Sequence, residues 1–275
     1  MGKITKINFV YRGKEMEIEK LVCIQCGREF NYQPFFSFDV KCPRPKMCSD
    51  CYRVYLEQKN KEESKEFLDM QIKAQKEEQY KKCRIPKEFW GKDFNNFIPK
   101  TESQKEALFA AKEVVSDDLQ KLILLGQNGV GKSHLATAIL DSIGGVRYSA
   151  YEFFAKYREC YSPLAKMTET EYVETLKKNK CVVIDELGRT KGSEAELNFL
   201  SWVIDELHTN GVKIVFTSNK IRKKECIEYK RNPESCKNCT MNLCLERYLG
   251  NDSISRMSSK SKIITVYGED MRRVY

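Results

Sequence analysis

The chain of 275 residues is long enough for one α/β core of ordinary size and a smaller module. It contains no apolar run near the roughly 18 residues that cross a bilayer, and residues 1–6 lack the pattern of a signal peptide. We therefore expect a soluble, cytoplasmic protein with no membrane partner. The net charge of +9 is compatible with a nucleic-acid partner, although a lysine-rich proteome produces the same balance.

The first predicted element is a small hairpin, because residues 4–20 alternate polar and apolar side chains around a turn at 12–14. Two Cys-x-x-Cys pairs follow, separated by residues 27–47, which is the spacing of a four-thiolate zinc site. A zinc ion would supply most of the folding energy of so short a module, residues 1–55, whose expected role is contact with another protein. Cys42 is a spare that could replace Cys48 as a ligand. The predicted Zn²⁺ ligands are Cys23, Cys26, Cys48 and Cys51.

Residues 56–83 are mostly Lys, Glu and Gln without a sustained heptad of apolar residues, so we predict a solvated helical linker. The remaining region, residues 84–275, alternates short apolar runs with helical stretches, as in an α/β fold. Thr101 and Gln104 have the spacing of a capping box at the start of one helix. A five-stranded parallel sheet with flanking helices is predicted, with strands at 121–125, 146–148, 181–184, 213–216 and 263–266.

A glycine-rich octet directly follows the first strand of this sheet and fits the pattern G-x-x-x-x-G-K-[ST]. In that pattern, backbone N–H groups surround a triphosphate at the N-terminus of the next helix, where the dipole also favours an anion. Lys132 would reach the β- and γ-phosphates, and the Ser133 hydroxyl would hold Mg²⁺. His134, in the same helix, is expected to pack near the site and to bind no metal. The predicted ATP-binding residues are Gly126, Gln127, Asn128, Gly129, Val130, Gly131, Lys132, Ser133 and His134.

Two acids end the third strand of the predicted sheet. Asp185 can hold Mg²⁺ through water, and Glu186 can orient and activate a water molecule against the γ-phosphorus. Asn219 follows the next strand along the chain, where its side chain could hydrogen-bond the γ-phosphate or that water. Together with Lys132, these residues predict an ATPase that converts ATP and water to ADP and phosphate.

Four further cysteines occur in a basic, hydrophilic insertion at about 222–245. Because a nucleotide-binding core works under reducing conditions, we interpret the clustered cysteines of this chain as metal ligands and not as disulfide partners. Buried free cysteines normally lie in apolar runs, so we expect a second structural zinc here, with a set of free thiols as the alternative. The predicted ligands are Cys226, Cys236, Cys239 and Cys244.

Residues 84–275 resemble the AAA+ ATPases of the bacterial helicase-loader group, DnaC and DnaI, and their relative IstB, a transposition helper. The resemblance implies an AAA+ P-loop core without a C-terminal lid, self-association through ATP interfaces, and Arg256 acting on the neighbour's ATP, with Arg247 as the rival for that role. One departure is that residues 204–208 lack the arginine usual in this group. The segments that carry the resemblance are 84–90, 94–97, 131–136, 184–188, 192–196, 255–257 and 268–272.

The same resemblance implies an ATP-hydrolysing replication protein that loads or remodels a replicative helicase on single-stranded DNA, in a bacterial or phage-infected cell. The DNA contact would come from basic positions between residues 150 and 180, and the helicase contact from the N-terminal zinc module. One alternative is an IstB-like helper ATPase for a transposase. Another is a zinc-dependent DNA-binding regulator switched by ATP, although no recognition helix is visible in the sequence.

Overall fold

The computed structural model divides the chain into two compact units, Met1–Ala74 and Gln75–Tyr275. We refer to them as the N-terminal unit and the C-terminal unit. Among the described residues, no helix combines the length and the apolar character that a membrane crossing requires. The structure describes residues 5–11, 14–33, 36–37, 40–41, 44–189, 192–226, 230, 244–258 and 260–271.

The N-terminal unit begins with an antiparallel sheet in the order β1-β2-β3. The predicted hairpin is confirmed, since β1 and β2 pair with Tyr11 opposite Lys14. Glu19 is buried on β2 and accepts two hydrogen bonds from the Arg44 guanidinium, at 2.5 and 2.9 Å. The elements are β1 (Thr5–Tyr11), β2 (Lys14–Val22), β3 (Glu29–Tyr32), the short pair β4 (Phe36–Ser37) and β5 (Val40–Lys41), and helix α1 (Ser49–Lys82).

Helix α1 confirms that the charged linker is helical, but the helix begins well before residue 56. It starts at Ser49, so that the second Cys-x-x-Cys pair lies at its N-terminus, and the boundary between the two units falls inside it. Its side chains are almost all exposed, and pairs such as Lys59–Glu63 and Lys82–Glu78 lie four residues apart on its surface. Such pairs contribute only a few tenths of a kcal/mol each. Because most of its side chains are exposed, this helix gains little stability from packing along most of its length.

The C-terminal unit contains the predicted five-stranded parallel sheet, with strand order β10-β6-β9-β8-β7. Every residue of β6 and β8 is buried, as expected for apolar strands covered on both faces. The strands are β6 (Lys121–Leu125), β7 (Val146–Ser149), β8 (Cys181–Asp185), β9 (Lys213–Ser218) and β10 (Ser261–Thr265), and the helices are α2 (Glu102–Val115), α3 (Lys132–Ile143), α4 (Ala150–Glu159), α5 (Glu169–Lys177), α6 (Glu194–Thr209) and α7 (Leu245–Ser258).

Local sequence explains where several of these helices begin. Thr101 accepts a hydrogen bond from the Gln104 N–H, and the Gln104 side chain accepts in return from the Thr101 N–H, which confirms the predicted capping box of α2. The same reciprocal pair starts α4, α5 and α6. Each cap satisfies N–H groups that have no partner inside the helix, a contribution of about 1 kcal/mol.

Two clusters of buried apolar side chains cover the two faces of the sheet. Alternate strand residues point to opposite faces, so Leu122 and Leu124 pack with α2 and α3, whereas Ile123 and Leu125 pack with α4 to α7. Within the described chain, residues 266–271 follow β10 without forming an α-helix or a strand. These layers place the N-terminus of α3 and the ends of β6, β8 and β9 at one edge of the sheet.

Candidate nucleotide-binding site

The glycine-rich loop connects β6 to α3 and lies against other backbone and ring atoms so closely that side chains would not fit. Gly126 has φ +131°, and a Cβ atom there would overlap the Val266 carbonyl oxygen. Gly131 has φ +103°, and its Cβ atom would lie 2.5 Å from the Phe97 ring. Left-handed backbone of this kind favours glycine. The loop conformation therefore depends on glycines at these positions.

Lys132 is the first residue of α3 and its side chain lies inside the loop. Its ammonium group donates hydrogen bonds to the carbonyl oxygens of Gly126, at 2.7 Å, and Gln127, at 2.6 Å, and the residue is only 6% exposed. A lysine ammonium has three N–H donors and no acceptor. A polyphosphate bound in this loop would meet a buried positive charge and the unpaired N–H groups of a helix N-terminus.

Asp185, the last residue of β8, lies next to Ser133 at the edge of the sheet. The Ser133 hydroxyl donates to Asp185 Oδ1 at 3.0 Å, and the Thr217 hydroxyl donates to the same oxygen. A hydroxyl and a carboxylate side by side are the hard oxygen donors that Mg²⁺ prefers. The residues that the sequence assigned to magnesium are thus within hydrogen-bond distance of each other, and their donor set fits that ion.

Two contacts of Asp185 were not predicted from the sequence. The Arg147 guanidinium of β7 donates to Asp185 Oδ2 through Nε, at 3.1 Å, and through Nη2. The second contact comes from Thr217. Its hydroxyl donates a hydrogen bond to Asp185 and accepts one from the Glu186 N–H at 3.0 Å. The available signal for Arg147 was a charged residue inside a short apolar run, but only the neighbouring position of β7 and β8 gives that charge a partner.

Glu186 has an unusual backbone conformation for a residue that is not glycine. Its φ of +59° is left-handed, which costs a non-glycine residue about 1–2 kcal/mol. Its carboxylate accepts a hydrogen bond from Arg189 at 2.6 Å and is 40% exposed. Asn219 is exposed just beyond the end of β9, whereas Thr217 is the β9 side chain that contacts both acids. The role of Asn219 therefore stays a prediction.

His134 packs beside the loop against the segment 93–97. Its Nε2 lies 2.8 Å from the Asp93 carbonyl oxygen, and its ring meets the Phe97 ring edge-on at 5.1 Å. With a carbonyl as partner, Nε2 carries the proton, an assignment that rests on the hydrogen bond. Burial lowers the pKa of His134, so the ring is neutral at neutral pH. It acts here as a packing residue that ties α3 to this segment.

Arg256 lies at the other edge of the sheet. The Lys121 ammonium, at the start of β6, donates to the Arg256 carbonyl oxygen at 2.7 Å, while the glycine-rich loop follows the end of the same strand. Strand residues rise about 3.3 Å each, so more than about 13 Å of strand separates these ends. The Arg256 side chain forms an ion pair with Asp205 of α6. This arginine is thus remote from its own loop, and Arg247 of the same helix is exposed.

The comparison with known families agrees with this geometry. The model of the IstB-like ATP binding protein family matches residues 56–224, which is more than half of the chain. The chain belongs to this family. Its members are described as ATP-binding proteins, and the matched range includes the glycine-rich loop. No curated protein sequence matches the chain.

Solved structures show the same fold for this family member. A DnaC helicase loader has a TM-score of 0.52 and 20% identity, covering 66% of this chain and all of that one. Domain III of the Thermotoga maritima replication initiation protein DnaA has a TM-score of 0.50 and 20% identity, covering 65% of this chain and 68% of that one. A DnaI structure has a TM-score of 0.49 and 16% identity, covering 68% and 94%. The fold class, an AAA+ P-loop core, is confirmed.

The matched range, residues 56–224, includes neither cysteine set, but the N-terminal unit brings the first set together. The four Sγ atoms of Cys23, Cys26, Cys48 and Cys51 lie within 4.8 Å of one another, with Cys26 and Cys48 at 3.8 Å. Tetrahedral coordination with Zn–S bonds of about 2.3 Å places sulfurs about 3.8 Å apart. The distances and the donor set therefore fit Zn²⁺.

The backbone and the neighbouring thiols give these cysteines very different proton affinities. Hydrogen bonding from the Cys48 backbone, with further help from the Cys26 turn, lowers the pKa of Cys23 to about 6. Contacts with the Cys26 and Cys48 thiols raise the pKa of Cys51 to about 12. A thiolate is the form that binds metal, and this site favours a thiolate at Cys23. Cys42, the spare ligand, lies outside the described residues.

The second cysteine set is described only in part, because Cys236 and Cys239 lie outside the described residues. Cys226 and Cys244 are both buried, although cysteines of a hydrophilic insertion were not expected to be core residues. The Cys244 thiol donates to Glu246 Oε2 at 3.3 Å, and burial raises its pKa to about 11. The second zinc therefore stays a prediction. The physical reason for the difference is that Cys244 lies at the start of α7, which packs against the sheet.

Proposed function

We propose that this family member is an ATPase that loads or remodels a replicative helicase on single-stranded DNA. ATP binding follows from the family, and hydrolysis and the client protein are the proposed part. The observation that carries the proposal is the contact between Ser133 and Asp185 beside the lysine-bearing loop. It brings the phosphate-binding group, the metal-binding group and the acid at 186 to one edge of the sheet.

The proposed chemistry assigns one task to each residue. Lys132 and the loop N–H groups bind and orient the phosphates, while Ser133 and Asp185 hold Mg²⁺, which supplies charge neutralisation when it is bound. Glu186 accepts a proton from the attacking water. Its carboxylate must then either bind the water and Arg189 at the same time or release the hydrogen bond from Arg189. Asn219 would orient the same water from the exposed end of β9.

Self-association is part of this proposal. Because Arg256 is remote from its own loop, it can stabilise transition-state charge only on the ATP of a neighbouring copy, as other arginine fingers do. ATP would then lie at subunit interfaces. Arg247 is the rival for this role.

Two surfaces support the proposed partners. Val22 and Ile24, beside the cysteine cluster, and Tyr52 on α1 are exposed apolar side chains of the N-terminal unit, suited to contact with a helicase. Tyr151 on α4 and Tyr161 just after it are exposed aromatic rings, and the Arg158 guanidinium carbon lies 5.9 Å from the centre of the Tyr151 ring. Aromatic rings and positive charge together bind single-stranded nucleic acid. Both partners place the protein in the cytoplasm of a bacterial or phage-infected cell.

An IstB-like transposase helper is the second candidate, and the family match itself favours it. The two candidates differ in the protein that the N-terminal unit contacts. Full-length protein bearing Glu186→Gln, used as bait with ATP, should capture a hexameric helicase if the first proposal is right. Recovery of a transposase would establish the second. Protein carrying Cys48→Ser is the matched control and should capture neither.

A further inference from the structure

The ion pair between Arg147 and Asp185 lies at the centre of the proposed metal site. Asp185 is 1% exposed and Arg147 is 11% exposed, so water contributes little to stabilising either charge. In the sheet, Arg147 is paired with Val183 and Ser149 with Asp185. Val183 and Asp185 are two residues apart and lie on the same face of β8. The Arg147 side chain therefore reaches diagonally from β7, past its register partner Val183, to Asp185.

The two oxygens of Asp185 have separate partners. Ser133 and Thr217 hydroxyls donate to Oδ1, whereas both contacting nitrogens of Arg147 donate to Oδ2. The guanidinium carbon also lies 5.4 Å from the centre of the Phe89 ring, which holds the arginine in place by a cation–π contact. One side of the carboxylate thus faces the metal-binding hydroxyl, and the other faces a fixed cation.

A buried carboxylate without a counter-charge is strongly destabilising, whereas a buried pair is close to neutral. The chain supplies that counter-charge itself, so the Asp185 carboxylate is paired and oriented before any metal binds. The same positive charge repels a divalent cation that approaches the carboxylate. For a unit charge roughly 8 Å from a divalent cation, the water dielectric gives a lower bound of about fivefold in metal affinity, and the smaller dielectric of this buried site increases it.

We propose that Arg147 is a positioning residue that neutralises Asp185 in the metal-free state and thereby sets how strongly Mg²⁺ and nucleotide favour each other's binding. This inference rests on the proposed ATP site. Mg²⁺ binding then requires Asp185 to be shared between the metal and the arginine. The arrangement limits the affinity for Mg²⁺–nucleotide and so favours exchange of the bound nucleotide.

The test is a charge series at position 147 in the full chain. Arg147→Lys keeps the charge, Arg147→Gln removes it but keeps a hydrogen-bond donor, and Arg147→Met removes both. The readout is the ratio of ADP dissociation constants in EDTA and in saturating Mg²⁺, measured by calorimetry. This ratio reports the coupling between metal and nucleotide, and it cancels any direct effect of residue 147 on the phosphates.

We expect the ratio to follow charge and not size. It should remain at the wild-type value for Arg147→Lys and rise by at least about fivefold for Arg147→Gln and Arg147→Met. An unchanged ratio in the neutral variants would overturn the inference, and so would a fall in ADP affinity of equal size in both buffers, since that would make Arg147 a phosphate ligand. If wild-type protein binds ADP in neither buffer, the proposed function itself fails.

Stability of the metal-free protein gives a second, independent readout. Arg147→Met should lower Tm by about 10 °C, because it leaves a buried carboxylate without its cation. Adding Asp185→Asn should recover most of this loss, since both charges are then removed. Losses that simply add would contradict the inference. If Arg147→Met alone does not fold, Arg147→Gln and the double variant still provide both comparisons.

Discussion

The two units of this chain differ in the side chains that the structure shows to be buried. In the C-terminal unit, apolar side chains fill both faces of a five-stranded sheet. In the N-terminal unit, the described side chains that are buried are Glu19, Cys23, Tyr32 and Cys48, and two of these are predicted zinc ligands. The burial described for this unit contributes little packing energy against its conformational entropy, so we predict that a bound zinc ion stabilises it. The comparison contrasts a unit with a large apolar core with a unit whose predicted stabilising element is a metal ligand set.

Removing a zinc ligand should produce the largest effect and should separate the two units most clearly. Cys48→Ser should abolish the hydrogen-exchange protection of the N-terminal unit, because structural zinc contributes about 10–16 kcal/mol of folding energy. Protection of the C-terminal sheet should be retained. The measurement is hydrogen exchange by mass spectrometry together with zinc content. Cys160→Ser is the control, and unchanged protection in Cys48→Ser would refute the zinc assignment.

Loss of the proposed general base should affect chemistry in the C-terminal unit without unfolding either unit. Glu186→Gln should lower the rate of ATP hydrolysis by about 10²–10⁴-fold, the usual contribution of acid–base catalysis, and should leave ATP binding intact. Phosphate release and calorimetric binding measure the two quantities. Glu194→Gln, at an exposed position of α6, should keep wild-type activity. A wild-type hydrolysis rate in Glu186→Gln would remove Glu186 from the mechanism.

The same substitution placed in the two units should have unequal effects on stability. Leu124 is fully buried in β6, so Leu124→Ala should lower the free energy of unfolding of the C-terminal unit by about 2–5 kcal/mol. Leu68→Ala removes a side chain that is 55% exposed on α1 and should change stability by less than about 0.5 kcal/mol. Urea unfolding measures both. Equal losses in the free energy of unfolding would contradict the expectation that buried Leu124 contributes more to stability than exposed Leu68.

The smallest expected effect is a pH dependence from His134. Because burial lowers its pKa in the folded protein, the unfolded chain binds a proton more readily. The stability of the C-terminal unit that comes from the neutral ring is present above a pH of about 6.5, the unfolded pKa, and is lost as the pH falls below it. His134→Gln should reduce the slope of Tm between about pH 7 and pH 5. Burial also lowers the pKa of His208, which contributes in the same direction and remains in this variant. An unchanged slope in His134→Gln would exclude this contribution.

Much of the fold and part of the site could be predicted because their signals are local in sequence. A continuous apolar run predicted β6 and β8, and the loop pattern placed Lys132 and Ser133 at the start of α3. The Cys-x-x-Cys spacing identified four thiols that the N-terminal unit brings together. In each case, neighbouring residues in the chain define the backbone conformation that positions the functional atoms.

The sequence by itself determined the strands, the phosphate-binding loop and the cysteine pairs, because each depends on residues only a few positions apart. Tertiary structure alone decided that Arg147 faces Asp185 and that Thr217, not Asn219, contacts both acids. It also decided that Cys244 is buried. These facts depend on which strands are neighbours and on which face each side chain occupies. Such contacts join residues distant in the chain, and no local pattern of the sequence encodes them.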